Sequence, residues 1–405
     1  MTPPPRRAAF AFIFITVFLD MLAMGISAPV LPKLITTFEG NNYGSAANMI
    51  GVFAFAWALM QFVFSPIMGS LSDHFGRRPV VVMSNVGMGL DYIVLALAPS
   101  VGWLFIGRVI NGITAATFST AGAYIADVTP PEGRAAKFGM LGAAFGLGFV
   151  IGPALGGFLG EIDLRLPFWV AGGFGLLNGL YGYFVLPESL PQEKRAKFEW
   201  RAANPLGAFK LLQAYPLVFG LAIAAFLQRI AHDTLPTLLV LYTDYRYGWT
   251  PSQVGAVLAG IGIGSMLVSG LLTGPIVKRL GEWGALTLGL SAGAIGFAIY
   301  GLAPTGALFL IGLPLLSLWG VAGPAMQSLM SARVGPTEQG RLQGSLTSVT
   351  SVAGMISPLI ATQTFAVAVG PLKEWNMPGM SYVLAALLVA SALVFAMRTR
   401  ATPTS

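Results

Sequence analysis

The chain has 405 residues, 55% of them hydrophobic and only 10% charged, with a mean hydropathy of +0.74. A water-soluble domain carries about 25% charged residues, so this composition excludes one. The formal net charge of +7 sits in short clusters between apolar runs, without a basic face or an aromatic-interleaved patch, which argues against a nucleic-acid binder.

Taken in chain order, the apolar runs predict helices over 8–32, 47–70, 79–98, 102–126, 138–160 and 167–187. They continue over 213–242, 251–275, 284–303, 307–331, 342–368 and 379–397. About 20 apolar residues cross a hydrocarbon core as a helix, and lipid admits only helices or closed barrels. The runs are too long and continuous for the alternating segments of a barrel. The expected fold is therefore all-α and integral to the membrane, with twelve transmembrane helices in two pseudo-symmetric six-helix bundles. Met1–Arg7 followed by an apolar run resembles a signal peptide, yet the run is too long for one and lacks a small-residue cleavage site. It is read as an uncleaved first span.

The polar stretch 188–212 divides an N-terminal bundle, 1–187, from a C-terminal bundle, 213–405. With the N-terminus inside, the cytoplasmic segments collect Arg6, Arg7, Arg77, Arg78, Arg134, Lys137, the central cluster, Lys278, Arg279, Arg333, Arg341, Arg398 and Arg400. The opposite side keeps only Lys33, Arg165, Arg246 and Lys373. This asymmetry places both termini in the cytoplasm; a bacterial-type inner membrane is the expected location. The halves also repeat: Gly69–Arg78 after the second helix is echoed by Gly274–Gly281 after the eighth, and Pro131–Arg134 by Thr337–Arg341. Paired halves around a midplane site are the architecture of many secondary transporters.

Several segments carry a family likeness. They are Gly69–Val80, Phe105–Gly112 with Arg108, Gly148–Gly157, and Leu19-Asp20 through Pro29-Val-Leu-Pro32. With Leu90-Asp91-Tyr92 and Tyr242–Trp249 added, the chain resembles the major facilitator superfamily, and within it the proton-coupled drug exporters of the tetracycline-efflux type. The resemblance implies an antiporter in which Gly148, Gly152, Pro153, Gly156 and Gly157 form the antiporter motif of the fifth helix. It also places an acid in the ninth helix and a histidine in the eighth, where this sequence has Gly293 and Ser265. That departure argues against a direct copy of the tetracycline mechanism.

An ionisable side chain inside a span costs about 2.5–3.5 kcal/mol on insertion scales, so each one asks for a role. Asp20 lies near the midplane of the first helix and is a candidate proton carrier; the alternative is a carboxyl that holds helices in register. Asp91 and Arg108 fall at matching depth on consecutive helices, about 10 Å below the outer surface. They are expected to pair, either as a static ion pair or as one that protonation opens to couple proton and substrate. Arg229 and Asp233 share a face at i,i+4 spacing, with His232 beside them, and together with Gln61 they are candidate substrate-cavity residues.

The loop with Gly69, Asp73, Gly76, Arg77 and Arg78 reads as a gate. Asp73 is expected to dock on a helix N-terminus of the second half, and Arg77 or Arg78 to pair with Asp127. Its glycines permit a turn with positive φ. A purely topogenic basic cluster is the alternative. For Gly148–Gly157 ordinary close helix packing is the other reading.

The expected function is proton-coupled export of a drug-like, amphipathic small organic molecule; a proton-coupled symporter importing a sugar or organic acid is the alternative. No cofactor or metal is expected, since cysteine is absent and no metal-spaced histidines, nucleophile elbow or Walker loop occur. The chain is thus not expected to be an enzyme. Partners are the substrate, protons and the lipid bilayer, and the chain is expected to act as a monomer.

Overall fold

The computed structural model describes residues 6–115, 117–195, 216–334 and 339–401, and it is helical throughout. In chain order the helices are α1 (Arg6–Ser27), α2 (Leu31–Phe38), α3 (Tyr43–Phe75), α4 (Arg77–Leu97), α5 (Val101–Thr114) and α6 (Thr117–Val128). They continue as α7 (Pro131–Ile162), α8 (Leu166–Phe184), α9 (Pro216–Tyr247), α10 (Pro251–Leu267) and α11 (Thr273–Leu302). The last are α12 (Gly306–Trp319), α13 (Ala322–Ser331), α14 (Gln339–Val369) and α15 (Met380–Ala401). Among the described residues nine stretches are long and apolar enough to cross a membrane, and one of them, Pro251–Leu302, is long enough to cross twice. The broken crossing α5–α6 and the Gly-rich α8 complete twelve.

Several expected spans are broken, each at a residue with a local reason. The first stops at Ser27, because Pro29 has no N–H to continue the ladder and restricts Ala28. A turn closed by Val30 N–H to the Ser27 carbonyl then restarts it as α2, which runs six residues beyond the expected end to Phe38. The fourth breaks after Thr114, next to Gly112, where the helix presses on α3: a Cβ at Gly112 would lie 2.7 Å from the Trp57 carbonyl oxygen. The tenth breaks at Gly320. The eighth passes through a π-helical segment, Val268–Leu272, and then turns at Gly281, whose φ of +70° favours glycine.

The chain divides into two compact units. The first comprises Met1–Gly40, Ala56–Ala203 and Thr250–Gly262, and the second Asn41–Phe55, Asn204–Trp249 and Ile263–Ser405. In the first, α1 packs on α7 and α8, and α4 on α8 and α5. Its apolar core includes Phe10, Ile13, Val17, Met21, Tyr124 and Leu141. The opening turns of α10 belong to this unit: a Cβ on Gly262 would lie 2.6 Å from the Val150 side chain of α7.

In the second unit α9 packs on α15 and α14, and α11 on α15 and α12. Its core is aromatic. Tyr300 and Phe309 stack with ring centroids 3.7 Å apart, Tyr242 and Tyr382 meet edge to face, and the Tyr242 hydroxyl donates to the Tyr300 carbonyl at 3.0 Å. The first turns of α3 belong here, where the Tyr43 hydroxyl donates to Asp244 Oδ2 at 2.9 Å. Most of the central stretch, 196–212, and the repeat residues Thr337 and Glu338 lie outside the described residues.

Candidate transport site

The first unit buries a polar network between α3, α4 and α5. Asp91 and Arg108 are brought together, with Arg108 Nη2 donating to Asp91 Oδ2 at 2.8 Å. Asn111, one turn further along α5, donates to the same oxygen at 3.0 Å, and Trp57 Nε1 on α3 donates to Asn111 Oδ1 at 2.9 Å. Two donors thus fix one carboxylate oxygen, and Trp57 holds the second of them. The other, Oδ1, is buried without a partner, and Gly107 leaves it room, since a Cβ there would strike it.

Asp20 lies on α1, 6% exposed, and its Oδ1 is buried without a hydrogen bond. A buried charge without a partner is costly, so a proton or a cation has to accompany this carboxyl. Gln61 is half-buried on α3.

The turn between α3 and α4 is built from charge. Arg77 is buried and pairs with Asp73 on one side; its Nε reaches Asp127 Oδ2 at 3.1 Å, and Nη1 donates to Ser72 Oγ at 2.6 Å. Asp73 thus pairs with Arg77, one helical turn away. Arg78 turns from Asp127 to α8, where it bonds the Gly182 and Tyr183 carbonyls. Glu188 caps α4: its Oε1 accepts from Arg77 N–H at 2.9 Å and its Oε2 from Arg78 N–H at 3.3 Å. Gly76 alone uses positive φ, at +106°; Gly69 lies within α3 in open surroundings, so the expected turn does not involve it.

Along α7 the small residues let backbones touch. A Cβ at Gly148 would lie 2.7 Å from Met21 Cβ, and one at Gly152 would lie 2.7 Å from Gly25 Cα. At Gly156 it would collide with the Ile26 carbonyl oxygen, and at Gly157 with that of Pro251. Pro153 packs on Gly25, while its carbonyl faces Gly255 of α10. One stripe thus seals α7 to α1 and to the start of α10.

The second unit gathers Arg229, His232 and Asp233 midway along α9. Arg229 Nε donates to Asp233 Oδ2 at 2.9 Å, Ser357 Oγ of α14 donates to the same oxygen at 3.0 Å, and His232 Nδ1 lies 3.2 Å from Oδ1. The Trp319 ring stands 5.7 Å from His232 and also covers Gly293, where a Cβ would lie 2.7 Å from the indole. Sequence reasoning missed Trp57, Asn111, Ser357 and Trp319. Their signal was an amide, a hydroxyl or an indole in mid-span, a residue type that needs a partner in lipid.

Twelve crossings in two helical units, with charges paired in mid-span, define a multi-pass membrane transporter of the secondary active kind. Residues 13–358, and again 247–404, match the Major Facilitator Superfamily. The chain is 38% identical over 380 residues to the tetracycline resistance protein, class C, of Escherichia coli, covering 94% of each chain. It is 26% identical to multidrug resistance protein 2 of Bacillus subtilis (strain 168), over 88% of each. A crystal structure of the nucleoside transporter NupG, solved as a point mutant, shares the fold at a TM-score of 0.76 and 13% identity, covering 97% of this chain and 99% of that one. The chain therefore belongs to the Major Facilitator Superfamily and, within it, to the drug-antiporter group of the tetracycline resistance proteins; it is a transporter and not an enzyme.

Proposed function

We propose that the chain exports a drug-like, amphipathic organic molecule in exchange for protons. The observation that carries this reading is the pair of carboxyls buried in the first unit, one clamped by Arg108 and Asn111 and the other with a buried oxygen that makes no hydrogen bond. A proton arriving at Asp91 loosens Arg108, and Asp20 crosses low-dielectric surroundings only when accompanied by positive charge. Each step changes the charge that a substrate meets, which couples the two flows. Tetracycline is one compound of the test panel: Gly293, covered by Trp319, offers no acid where the family resemblance places one.

In this reading 1–187 and 213–405 are the two bundles and 188–212 is the central cytoplasmic loop between them. Asp73, Arg77, Arg78 and Asp127 hold a gate, Gly69 and Gly76 flank it, and Gly148, Gly152, Pro153, Gly156 and Gly157 seal a path that would otherwise leak protons. Gln61, Arg229, His232 and Asp233 line the substrate cavity. The protein sits as a monomer in a bacterial inner membrane with both termini in the cytoplasm.

Everted vesicles test the reading. When a pH gradient, acid inside, is imposed, vesicles with the wild-type chain load a panel compound and dissipate the gradient, and Asp20→Asn does neither. Uptake into right-side-out vesicles driven by an inward proton gradient identifies an importer instead and overturns export. Loading by Asp20→Asn equal to the wild type removes Asp20 from the coupling.

A further inference from the structure

The charged cluster on α9 is open where the one in the first unit is closed. Arg229 and His232 side chains are 46% and 60% exposed, whereas Asp233 beneath them is 13% exposed. Charged groups at mid-helix are rarely exposed to lipid, because the cost is several kcal/mol, so these two face a water-filled space. Both Asp233 oxygens are already engaged, Oδ2 by Arg229 and Ser357 and Oδ1 by His232. Arg229 spends only its Nε on Asp233, and no protein acceptor takes Nη1 or Nη2 among the described residues.

Opposite, Gly354 of α14 has no side chain to cover the guanidinium: a Cβ there would stand 3.5 Å from both Arg229 Nη2 and Asp233 Oδ2. The Trp319 indole, itself buried, packs beside His232 and leaves its own Nε1 unpartnered. The cluster thus hides its carboxylate and presents its guanidinium. A planar guanidinium with two free nitrogens suits an oxyanion, which it can bind through two parallel bonds. An ammonium group meets the reverse: to reach Asp233 it has to displace Arg229, Ser357 or His232.

We infer that Arg229, held by Asp233 with Ser357 and His232 beside it, forms a binding site for an anionic oxygen group, a carboxylate, enolate or phenolate, carried by an organic substrate. This rests on the reading of the cluster as part of the substrate cavity and adds the sign of the charge recognised there. Asp233 is a positioning residue, since it meets the substrate only through Arg229.

Two fluorescent probes with one ring system separate the possibilities: dansylglycine, a carboxylate, and dansylcadaverine, an ammonium. Binding to the purified full chain in lipid-free neutral detergent is followed by fluorescence enhancement. The wild type is expected to bind dansylglycine at least tenfold more tightly than dansylcadaverine. Arg229→Gln should lose that preference, and the charge-neutral double variant Arg229→Gln with Asp233→Asn should lose it without exposing a lone carboxylate. Gel filtration checks that each variant is folded. A wild type that favours dansylcadaverine, or does not bind dansylglycine, overturns the oxyanion site; if the variants then alter binding of dansylcadaverine, the cavity reading survives. Affinities unchanged for both probes in folded variants overturn the site and the cavity reading together.

Discussion

Each compact unit sets an arginine–aspartate pair within a membrane crossing, at nearly the same distance: 2.8 Å for Arg108–Asp91 and 2.9 Å for Arg229–Asp233. Their surroundings separate them. Arg108 is 15% exposed and Asp91 not at all, and the neighbours Asn111 and Trp57 extend the pair into a dry network. Arg229 is 46% exposed and one turn of helix from a histidine that is more exposed still. Distance alone therefore says little about an ion pair; the medium decides whether the charges cost or serve. The closed pair is suited to storing a charge that a proton can release, and the open one to meeting a solute.

Cutting one partner from each pair tests this contrast most severely. Asp91→Asn leaves Arg108 buried without a counter-charge, a loss of about 3–5 kcal/mol. Thermal unfolding in detergent, followed by tryptophan fluorescence, should show it as the largest drop of the series, with proton-driven loading abolished. Adding Arg108→Gln should recover most of the stability and none of the transport. A stable Asp91→Asn protein would mean that the pair is not closed.

Packing in the same unit should come next. Gly156→Ala drives a methyl into the Ile26 carbonyl, where only backbone can yield, and overpacking of this kind costs about 1–3 kcal/mol. Gly173, also helical but with nothing within 4 Å, is the control: Gly173→Ala should be neutral or slightly stabilising in the same assay.

Asn111→Ala should cost about 1–2 kcal/mol, because it strands the Trp57 indole N–H and removes one donor from Asp91. Its transport defect should exceed that of Asn111→Gln, which keeps the amide. Smallest of all, Arg229→Gln should shift stability by less than about 1 kcal/mol, since Asp233 keeps Ser357 and His232 and the lost arginine was half in water. A fall as large as that of Asp91→Asn would erase the distinction between the two pairs.

Much of this was legible in the sequence wherever the signal is periodic. Residue counts from the ends of the third and fourth helices put Asp91 opposite Arg108, because consecutive antiparallel spans are neighbours and rise per residue is fixed. The i,i+4 spacing put Arg229 on Asp233. The partners that join non-consecutive elements were not legible: Trp57 reaches Asn111 from α3, and Ser357 reaches Asp233 from α14 across 124 residues of sequence. Interruptions inside long apolar runs were equally hidden, since hydropathy is indifferent to a kink. The break after Thr114 has no proline to announce it, and Gly69 reads like Gly76 although only the latter turns the chain.

The start of α4 has a bearing on how the chain is made. Its first two amides rest on Glu188, which follows Arg77 by 111 positions. Translation delivers the third crossing long before that carboxylate exists, so the nascent helix waits in the bilayer with its leading N–H groups bound only by water or headgroups. Completion of the sixth crossing brings Glu188 to that end, and a half-made protein becomes a fastened one at that moment. Truncation just ahead of this glutamate should leave a product that inserts and is then cleared by membrane quality control, whereas a few more residues should let it persist.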